Sequence, residues 1–338
     1  SLTPNDNKIK FHKSLVNKGF KITSIDEEAC LIDHGYEMFA RNRYSEQMIE
    51  DSSAVFGWGD DDVDTLKKFY SKHSSKIYKT GSPRADLWKP FFSSYWGVPR
   101  ETPKRPFLLV SSNNSSATYP HPFHELVKLR SELGYYKRMP ELLKKDFGQI
   151  SEEFLKVYSF IEAIQFLAKN NNGYDIVFRP HPNENLESWK IYLEGIPNVH
   201  IIREGSITAW VNNAFAVMHN SCTTAIETTF IGKPLVTYIP FKMVHDWEIP
   251  NKLGSRVETL DELSHTVNSI FDKEQSSTYI EDVYNAGRTG TDFTGQSGLV
   301  GYWKLDEGSG TTVTDHSGNG NDGTFATDGS GLPTWESI

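Results

Sequence analysis

Short apolar segments alternate with helical segments along most of this chain, and that order restricts the fold more than any other feature. In the middle of the chain, the segments that predict strands, some with the turn that follows, are 106–116, 174–182, 198–205, 215–221 and 234–240. The segment 151–170 has apolar residues at helical spacing, and 205–214 and 223–232 predict further helices. Strands that alternate with helices are typical of a parallel sheet. The sequence therefore predicts a doubly wound α/β domain over residues 104–284.

The first hundred residues show the same order. Strands are predicted at 20–25, 52–59 and 76–81, with a helix at 62–73. We therefore expect a first Rossmann-like α/β domain over 1–103, joined to the second through a proline-rich connection from Lys89 to Arg105. Because SLTPNDNKIKFHK is an abrupt start for such a domain, we expect its first strands to be missing.

The composition of the last fifty residues differs from that of the rest. Residues 285–297 are rich in Gly, Thr and Ser and predict a linker. Residues 298–338 alternate and contain many turn residues, which predicts an all-β segment.

Charge and cysteine content exclude some classes of protein. A net charge of −9 argues against a dedicated nucleic-acid binder, which usually has a basic face. No apolar segment approaches the roughly 20 residues that span a bilayer. Only Cys30 and Cys222 occur, too few for a disulfide framework, so we expect small buried thiols in a cytoplasmic protein.

Residues 216–227, AVMHNSCTTAIE, predict a strand end, a turn at His219 and Asn220, and a helix that begins at the Ser/Thr cluster and includes Glu227. Hydroxyls and backbone N–H groups at the start of a helix suit a phosphate. An ordinary N-cap is the alternative.

The motif RPHP follows a neighbouring strand and carries Arg179, His181 and Pro182. The prolines restrict the backbone around His181, which could bind a phosphate or protonate a leaving group. A structural turn histidine is the alternative. A buried Arg179 would need an anionic partner. Asn113, His181 and Ser221 all fall at carboxyl ends of strands, where such sheets bind ligands, so we predict one anion site.

Three adjacent carboxylates, Asp26, Glu27 and Glu28, end the first strand. Their mutual repulsion should raise at least one pKa and favour a general base. The alternative is a solvated acidic turn. Arg84 could contact a second phosphate, although an ion pair with Asp86 is slightly favoured.

No metal site is predicted. The acidic run at 60–62 is expected to cap the helix that follows rather than to bind a metal ion. His121 and His124 fit a surface loop better than a metal site, which would need more ligands nearby.

These residues together resemble bacterial surface-carbohydrate biosynthesis proteins and, more distantly, GT-B glycosyltransferases that use CMP-activated acidic sugars, the capsule Kdo transferases and bacterial sialyltransferases. The resemblance covers roughly residues 20–260. The matching positions are Glu27-Glu28-Ala29, His181-Pro182 and the cluster of Ser221, Thr223 and Thr224. Ala29 stands where that group has Gly, which leaves the base open between Glu27 and Glu28.

The resemblance implies a fold and a reaction. The fold is α/β of GT-B type, with two Rossmann-like domains facing a cleft. The reaction is metal-independent, inverting transfer from a CMP-linked donor, with catalytic groups Glu28 or Glu27 and His181. The implied donor-binding residues are Arg84, Asn113, Arg179, Pro182, Asn220, Ser221, Thr223, Thr224 and Glu227.

The implied partners are a nucleotide sugar and a glycan or glycolipid acceptor, without nucleic acid. The implied location is the cytoplasm, peripheral at the cytoplasmic face of the inner membrane. Alternatives are a CDP-glycerol-type polyol phosphotransferase and an inactive carbohydrate-binding protein. The segment 298–338 separately resembles the opening of a laminin-G-like β-sandwich and is too short to complete one.

Overall fold

The structure of the protein is a computed structural model. It describes residues 6–27, 36–115, 117–118, 122–171, 173–244, 248–276, 309, 311–316 and 319–324. The chain divides into two compact units, Ser1–Lys273 and Glu274–Ile338.

A three-stranded parallel sheet forms the first part of the larger unit. Its strands are β1 (Thr23–Ile25), β2 (Ala54–Gly57) and β3 (Ile77–Lys79), in the order β1-β2-β3. The helices of this region are α1 (Asp6–Asn17), α2 (Tyr36–Arg43), α3 (Glu46–Asp51) and α4 (Asp60–Phe69). The three strands and the helix between β2 and β3 confirm the predicted elements.

The acidic run at 60–62 begins α4, as predicted. The Asp62 carboxylate accepts hydrogen bonds from the backbone N–H groups of Trp58 at 2.7 Å and Gly59 at 2.8 Å. These donors would otherwise lack an acceptor at the helix start, so Asp62 stabilises the β2–α4 turn.

The proline-rich connection contains a 3-10 turn (Pro90–Phe92) and the short helix α6 (Ser93–Trp96). Helix α5 (Pro83–Leu87) precedes the connection, and another 3-10 turn (Ser71–Lys76) precedes β3. Asn213 Nδ2 donates to the carbonyl of Gly97 at 3.0 Å. The connection is therefore bonded to the second sheet region rather than only tethered to it.

A six-stranded, wholly parallel sheet forms the second part. Its strands are β4 (Phe107–Ser111), β5 (Asp175–Arg179), β6 (Val199–Ile201), β7 (Ala216–His219), β8 (Leu235–Tyr238) and β9 (Ser255–Val257). Their order is β6-β5-β4-β7-β8-β9. The five predicted strands and the α/β class are confirmed. The sequence missed β9, a short edge strand with two exposed residues of three.

Helices cover both faces of this sheet. They are α7 (Phe123–Glu132), α8 (Tyr135–Arg138), α9 (Glu141–Lys169), α10 (Leu186–Tyr192), α11 (Ile207–Asn213), α12 (Thr224–Ile231), α13 (Glu248–Asn251) and α14 (Leu260–Ser276). One apolar core packs against α9 and includes Phe160, and the other includes Trp210 of α11. Helix α9 starts ten residues earlier than predicted, and Ser151 bonds the Phe147 carbonyl within it instead of capping it.

The smaller unit contains an antiparallel pair, β10 (Thr312–Val313) and β11 (Gly323–Thr324). This pair agrees with the predicted β character of the segment, while the likeness to a laminin-G-like sandwich stays a prediction. Among the residues described in either unit, no helix is long and apolar enough to cross a membrane.

Candidate functional site

The strand order places a topological switch point between β4 and β7. From β4 the chain adds β5 and β6 on one side, then returns to add β7 and β8 on the other. Ser111 and His219 are register partners at the carboxyl ends of β4 and β7. Ligands of open α/β sheets bind in the crevice at such a point, and the turns that follow these two strands form it.

Asn113 and Ser221, predicted from separate motifs, meet across this crevice. The Asn113 side-chain amide donates to the Ser221 carbonyl oxygen at 2.8 Å. Asn113 is half-buried and Ser221 is buried. The structure therefore brings the β4 turn and the β7 turn together as predicted.

Ser221 has a left-handed backbone, with φ at 53°. Among the described residues it is the one non-glycine residue in that region, which costs L-residues of order 1–2 kcal/mol. Asn251, the last residue of α13, holds it: Oδ1 accepts the Ser221 N–H at 2.7 Å and Nδ2 donates to Ser221 Oγ at 2.9 Å. Strain of this kind concentrates at functional sites. No sequence pattern points to Asn251 as part of this turn.

The turn after Ser221 leaves three consecutive backbone N–H groups, those of Cys222, Thr223 and Thr224, without an intrachain acceptor in the part of the chain that the structure describes. The bonded N–H groups of this turn begin at Ala225, which donates to the Cys222 carbonyl at 3.0 Å. Successive N–H groups after a left-handed residue form a concavity that suits an anion.

The alternative, in which the Ser/Thr cluster is an ordinary side-chain N-cap of α12, is wrong. Thr223 occupies the N-cap position with helical dihedrals, φ −55° and ψ −25°, and its side chain makes no capping hydrogen bond. A capping residue needs an extended backbone to turn its oxygen toward the second or third N–H of the helix. The first-turn N–H groups are therefore not covered by a side chain.

The hydroxyl of Thr224 points into the protein. It lies 3.0 Å from Ser111 Oγ and 3.2 Å from Cys222 Sγ, and all three residues are buried. Cys222 is thus the small buried thiol that the sequence predicted, whereas Cys30 lies outside the described residues. The hydroxyl of Thr224 is therefore used inside the protein, and only its backbone N–H could contact a ligand.

His219 and Asn220 fix the end of β7 from inside. Asn220 Nδ2 donates to the Tyr238 carbonyl at 2.8 Å. Thr237 Oγ1 donates to the Leu253 carbonyl at 2.5 Å, so His219 Nε2, at 2.8 Å, is the donor to Thr237. Burial, with a smaller contribution from Lys156, lowers the pKa of His219 to about 3. His219 is therefore a neutral structural histidine.

His181 lies after β5 in the neighbouring turn. Its Nδ1 accepts the backbone N–H of Asn183 at 3.2 Å, which places the ring proton of the neutral form on Nε2. His181 is half-buried, and Pro182 is exposed. A half-buried ring whose tautomer is fixed can present Nε2–H to a phosphate oxygen.

Glu184, which no sequence motif singled out, holds this turn to β4. Its buried carboxylate accepts hydrogen bonds from Ser112 Oγ at 2.9 Å, the Asn114 N–H at 2.8 Å and Trp189 Nε1 at 2.7 Å. Burial raises its pKa, and these donors oppose the rise. Glu184 therefore fixes the His181 turn beside the Ser221 turn.

The guanidinium of the buried Arg179 is hydrogen-bonded to backbone carbonyls, and no carboxylate of the described residues bonds it. Its guanidinium donates to the Glu204 carbonyl and, at 3.0 Å, to the Gly205 carbonyl, and it stacks on Trp210 at 5.5 Å. Backbone carbonyls satisfy its donors in place of an anion. Burial lowers its pKa to about 10, while the charges of Glu204 and Glu227 oppose the change.

Glu227 interacts electrostatically with Arg84 and Arg179, and no hydrogen bond of the described residues joins it to Ser221. The buried Glu227 carboxylate accepts a hydrogen bond from Thr208 Oγ1. Burial raises its pKa, and the Thr208 bond and the charges of Arg84 and Arg179 lower it. Arg84 stacks on Trp88 at 5.3 Å, and Asp86 pairs with Lys89 at 2.7 Å. The favoured ion pair between Arg84 and Asp86 is therefore wrong.

The acidic triplet divides into different environments. Asp26 is buried and forms a two-pronged ion pair with Arg43, at 2.7 and 2.9 Å. Glu27 is exposed in the turn after β1. Glu28 lies outside the described residues, so its assignment as a base stays a prediction.

Metal ligands do not assemble in the described ranges: no group of three His, Cys, Asp or Glu residues there could hold a metal ion. His124 lies exposed on α7 rather than in the predicted loop, and His121 lies outside the described residues.

No protein family model matches the chain, and no curated protein matches it. Among solved structures it is similar to MnaA of S. aureus with UDP, at 12% identity over 78% of this chain and 62% of that one, with a TM-score of 0.44. The wall teichoic acid polymerase TagF gives 10% identity, 71% and 54% coverage, and a TM-score of 0.36.

WaaG, a glycosyltransferase involved in lipopolysaccharide biosynthesis, gives 10% identity over 83% of this chain and 77% of that one, with a TM-score of 0.37. The chain spans less than two thirds of the MnaA and TagF chains.

Proposed function

We propose that this protein is a glycosyltransferase of surface polysaccharide biosynthesis that uses a nucleotide-activated sugar. The observation that best supports this is the Ser221 turn at the switch point, with its three consecutive N–H groups. The nucleotide phosphate gains negative charge as the bond to the sugar breaks. Fixed backbone donors stabilise such charge without reorganisation.

His181 is the second phosphate ligand in this proposal. Its Nε2–H donates to a phosphate oxygen or transfers a proton to the departing nucleotide. Glu184 holds the His181 turn to β4, so the histidine acts from a fixed position.

The base is Glu28 or Glu27, which deprotonates an acceptor hydroxyl. The deprotonated oxygen attacks the anomeric carbon in one displacement, which inverts its configuration. The donor is a CMP-linked acidic sugar, the released product is CMP, and no metal ion takes part. The resemblance of the Glu27-Glu28, His181-Pro182 and Ser221 motifs to CMP-sugar transferases supports this choice of donor.

Nucleotide release tests the proposal. The protein is incubated with a glycan acceptor and either CMP-linked acidic sugars, UDP-sugars or CDP-glycerol, with and without EDTA, and nucleotides are separated by chromatography. CMP release from the CMP-sugars alone, unaffected by EDTA and reduced in Glu28→Gln or Glu27→Gln, is expected.

Other results would contradict the proposal. CMP release from CDP-glycerol alone would indicate a polyol phosphotransferase. Glycan binding without any nucleotide release would indicate a carbohydrate-binding protein.

A further inference from the structure

A cavity of about 300 Å³ lies between the helices of the small-sheet region and α8. Arg41, Tyr44, Glu46 and Tyr70 line one wall, and Tyr135 and Arg138 line the other. None of these residues belongs to the site at the switch point. The volume is at the lower end of the range for small-ligand sites, about 300–1,000 Å³.

Two arginines carry permanent positive charge into this cavity. Arg41 stacks on Phe69 at 5.2 Å and makes no ion pair with a carboxylate of the described residues. Arg138 stacks on Tyr135 at 5.6 Å and donates to the Leu133 carbonyl at 2.7 Å. An anion bound between the two guanidinium groups would be attracted by both of them.

Glu46 adds a carboxylate to the lining of the cavity. It lies 3.9 Å from His73 Nε2. Burial raises the pKa of Tyr70 to about 12, Glu46 adds to the rise, and Arg41 opposes it. Glu46 and Arg41 thus act on the pKa of Tyr70 in opposite directions, and no ion pair joins them among the described residues.

Three tyrosines complete the walls. Tyr44 is buried, Tyr70 and Tyr135 are half-buried, and Tyr70 OH donates to the Tyr44 carbonyl at 3.1 Å. Aromatic faces pack on the C–H surfaces of a sugar ring, and phenol groups bond its hydroxyls. Guanidinium groups bind carboxylate or phosphate through two parallel hydrogen bonds.

We propose that this cavity binds a glycan through a phosphate or carboxylate group held by Arg41 and Arg138. Its role as the acceptor site rests on the proposed function, whereas the binding of an anionic sugar does not.

Calorimetric titration with glucose 6-phosphate, glucuronic acid and glucose tests the binding. At least one charged sugar should bind, and neutral glucose should bind at least about 10-fold more weakly, since it cannot form charge-assisted hydrogen bonds with the guanidinium groups. Preference between the two charged sugars identifies the anion.

Matched variants locate the site. Arg41→Gln and Arg138→Gln should each weaken binding of the charged sugar about 10-fold, and the double variant should abolish it, while Arg100→Gln, at an exposed arginine of the connection, should not change it. Thermal melts check folding, and if one variant unfolds, the other carries the test. CMP affinity should be unchanged in the folded variants.

Two results would overturn the inference: charged sugars that bind no more tightly than glucose, or charged-sugar binding that neither arginine variant weakens. Binding that is lost in Ser221→Val instead would assign the anion to the switch-point turn and also overturn it. If charged sugars bind at the arginines and no nucleotide binds, the cavity stands as a glycan site and the proposed function fails.

Discussion

Asn251 holds both the backbone and the side chain of Ser221, accepting the Ser221 N–H at 2.7 Å and donating to Ser221 Oγ at 2.9 Å. The two residues are 30 positions apart, on α13 and at the turn before α12. The pair holds Ser221 in its left-handed conformation, and the three N–H groups that lack an intrachain acceptor in the described part of the chain follow it directly in the turn at the carboxyl end of β7. Helix α13 therefore helps to hold the backbone of the β7 turn, where we propose that the nucleotide phosphate binds.

Removing the Asn251 amide should weaken nucleotide binding. Asn251→Ala frees Ser221 to relax, which misplaces the N–H groups of Cys222 and Thr223. We expect about a 10-fold loss of CMP affinity by calorimetry and a loss of about 1–2 kcal/mol in the free energy of unfolding. The matched control is Asn213→Ala, which removes the bond to the Gly97 carbonyl but lies outside the site. An unchanged CMP affinity in Asn251→Ala would show that Asn251 is only structural.

His181→Ala should slow turnover more than it weakens donor binding. The backbone N–H groups still hold the phosphate, but the proton donor to the leaving group is lost, so kcat should fall by about 10²–10⁴-fold. KM for the donor should change much less. His124→Ala, at an exposed position on α7, is the control. A drop confined to KM, or no drop, would remove His181 from the chemistry.

Much of the fold follows from sequence periodicity. The apolar segments that become β4, β5, β7 and β8 are buried at every residue, so their hydrophobicity identifies them. Strand β9 and the first ten residues of α9 were not predicted, because exposed and polar residues weaken the hydrophobic periodicity there.

The candidate site was predicted only in part. Side chains that follow strands, such as Asn113 and Ser221, could be assigned to one edge because parallel strands share their carboxyl ends. Asn251 could not be assigned to this site from the sequence, since its distance from Ser221 depends on how α13 packs. The partners of Arg179 could not be predicted either, because they are backbone carbonyls, which every residue type has.

His219 should make the fold sensitive to acid. Its pKa is about 3 in the folded protein and about 6.5 when unfolded, so between these values the unfolded chain binds the extra proton. Above pH 6.5 His219 is neutral in both states and does not reduce the stability. As the pH falls from 6.5 toward 3, the free energy of unfolding decreases by roughly 1 kcal/mol per pH unit.

Urea unfolding at pH 7, 6, 5 and 4 measures this dependence. The free energy of unfolding of the wild type should fall more steeply with acid than that of His219→Gln, whatever the absolute stability of the variant. His124→Gln, at an exposed histidine, should keep the wild-type slope. Equal slopes for the wild type and His219→Gln would show that His219 does not carry the acid sensitivity.

The proposed function depends on backbone N–H groups after a left-handed Ser221 that bind the nucleotide phosphate. Calorimetric titration of CMP into the wild type, Ser221→Gly and Ser221→Val tests it most directly. Glycine adopts positive φ freely, so Ser221→Gly should bind CMP within a few-fold of the wild type, whereas a β-branched valine disfavours that φ and should cost at least about 10-fold in affinity. Equal affinity in all three proteins, or loss in Ser221→Gly with retention in Ser221→Val, would contradict the account.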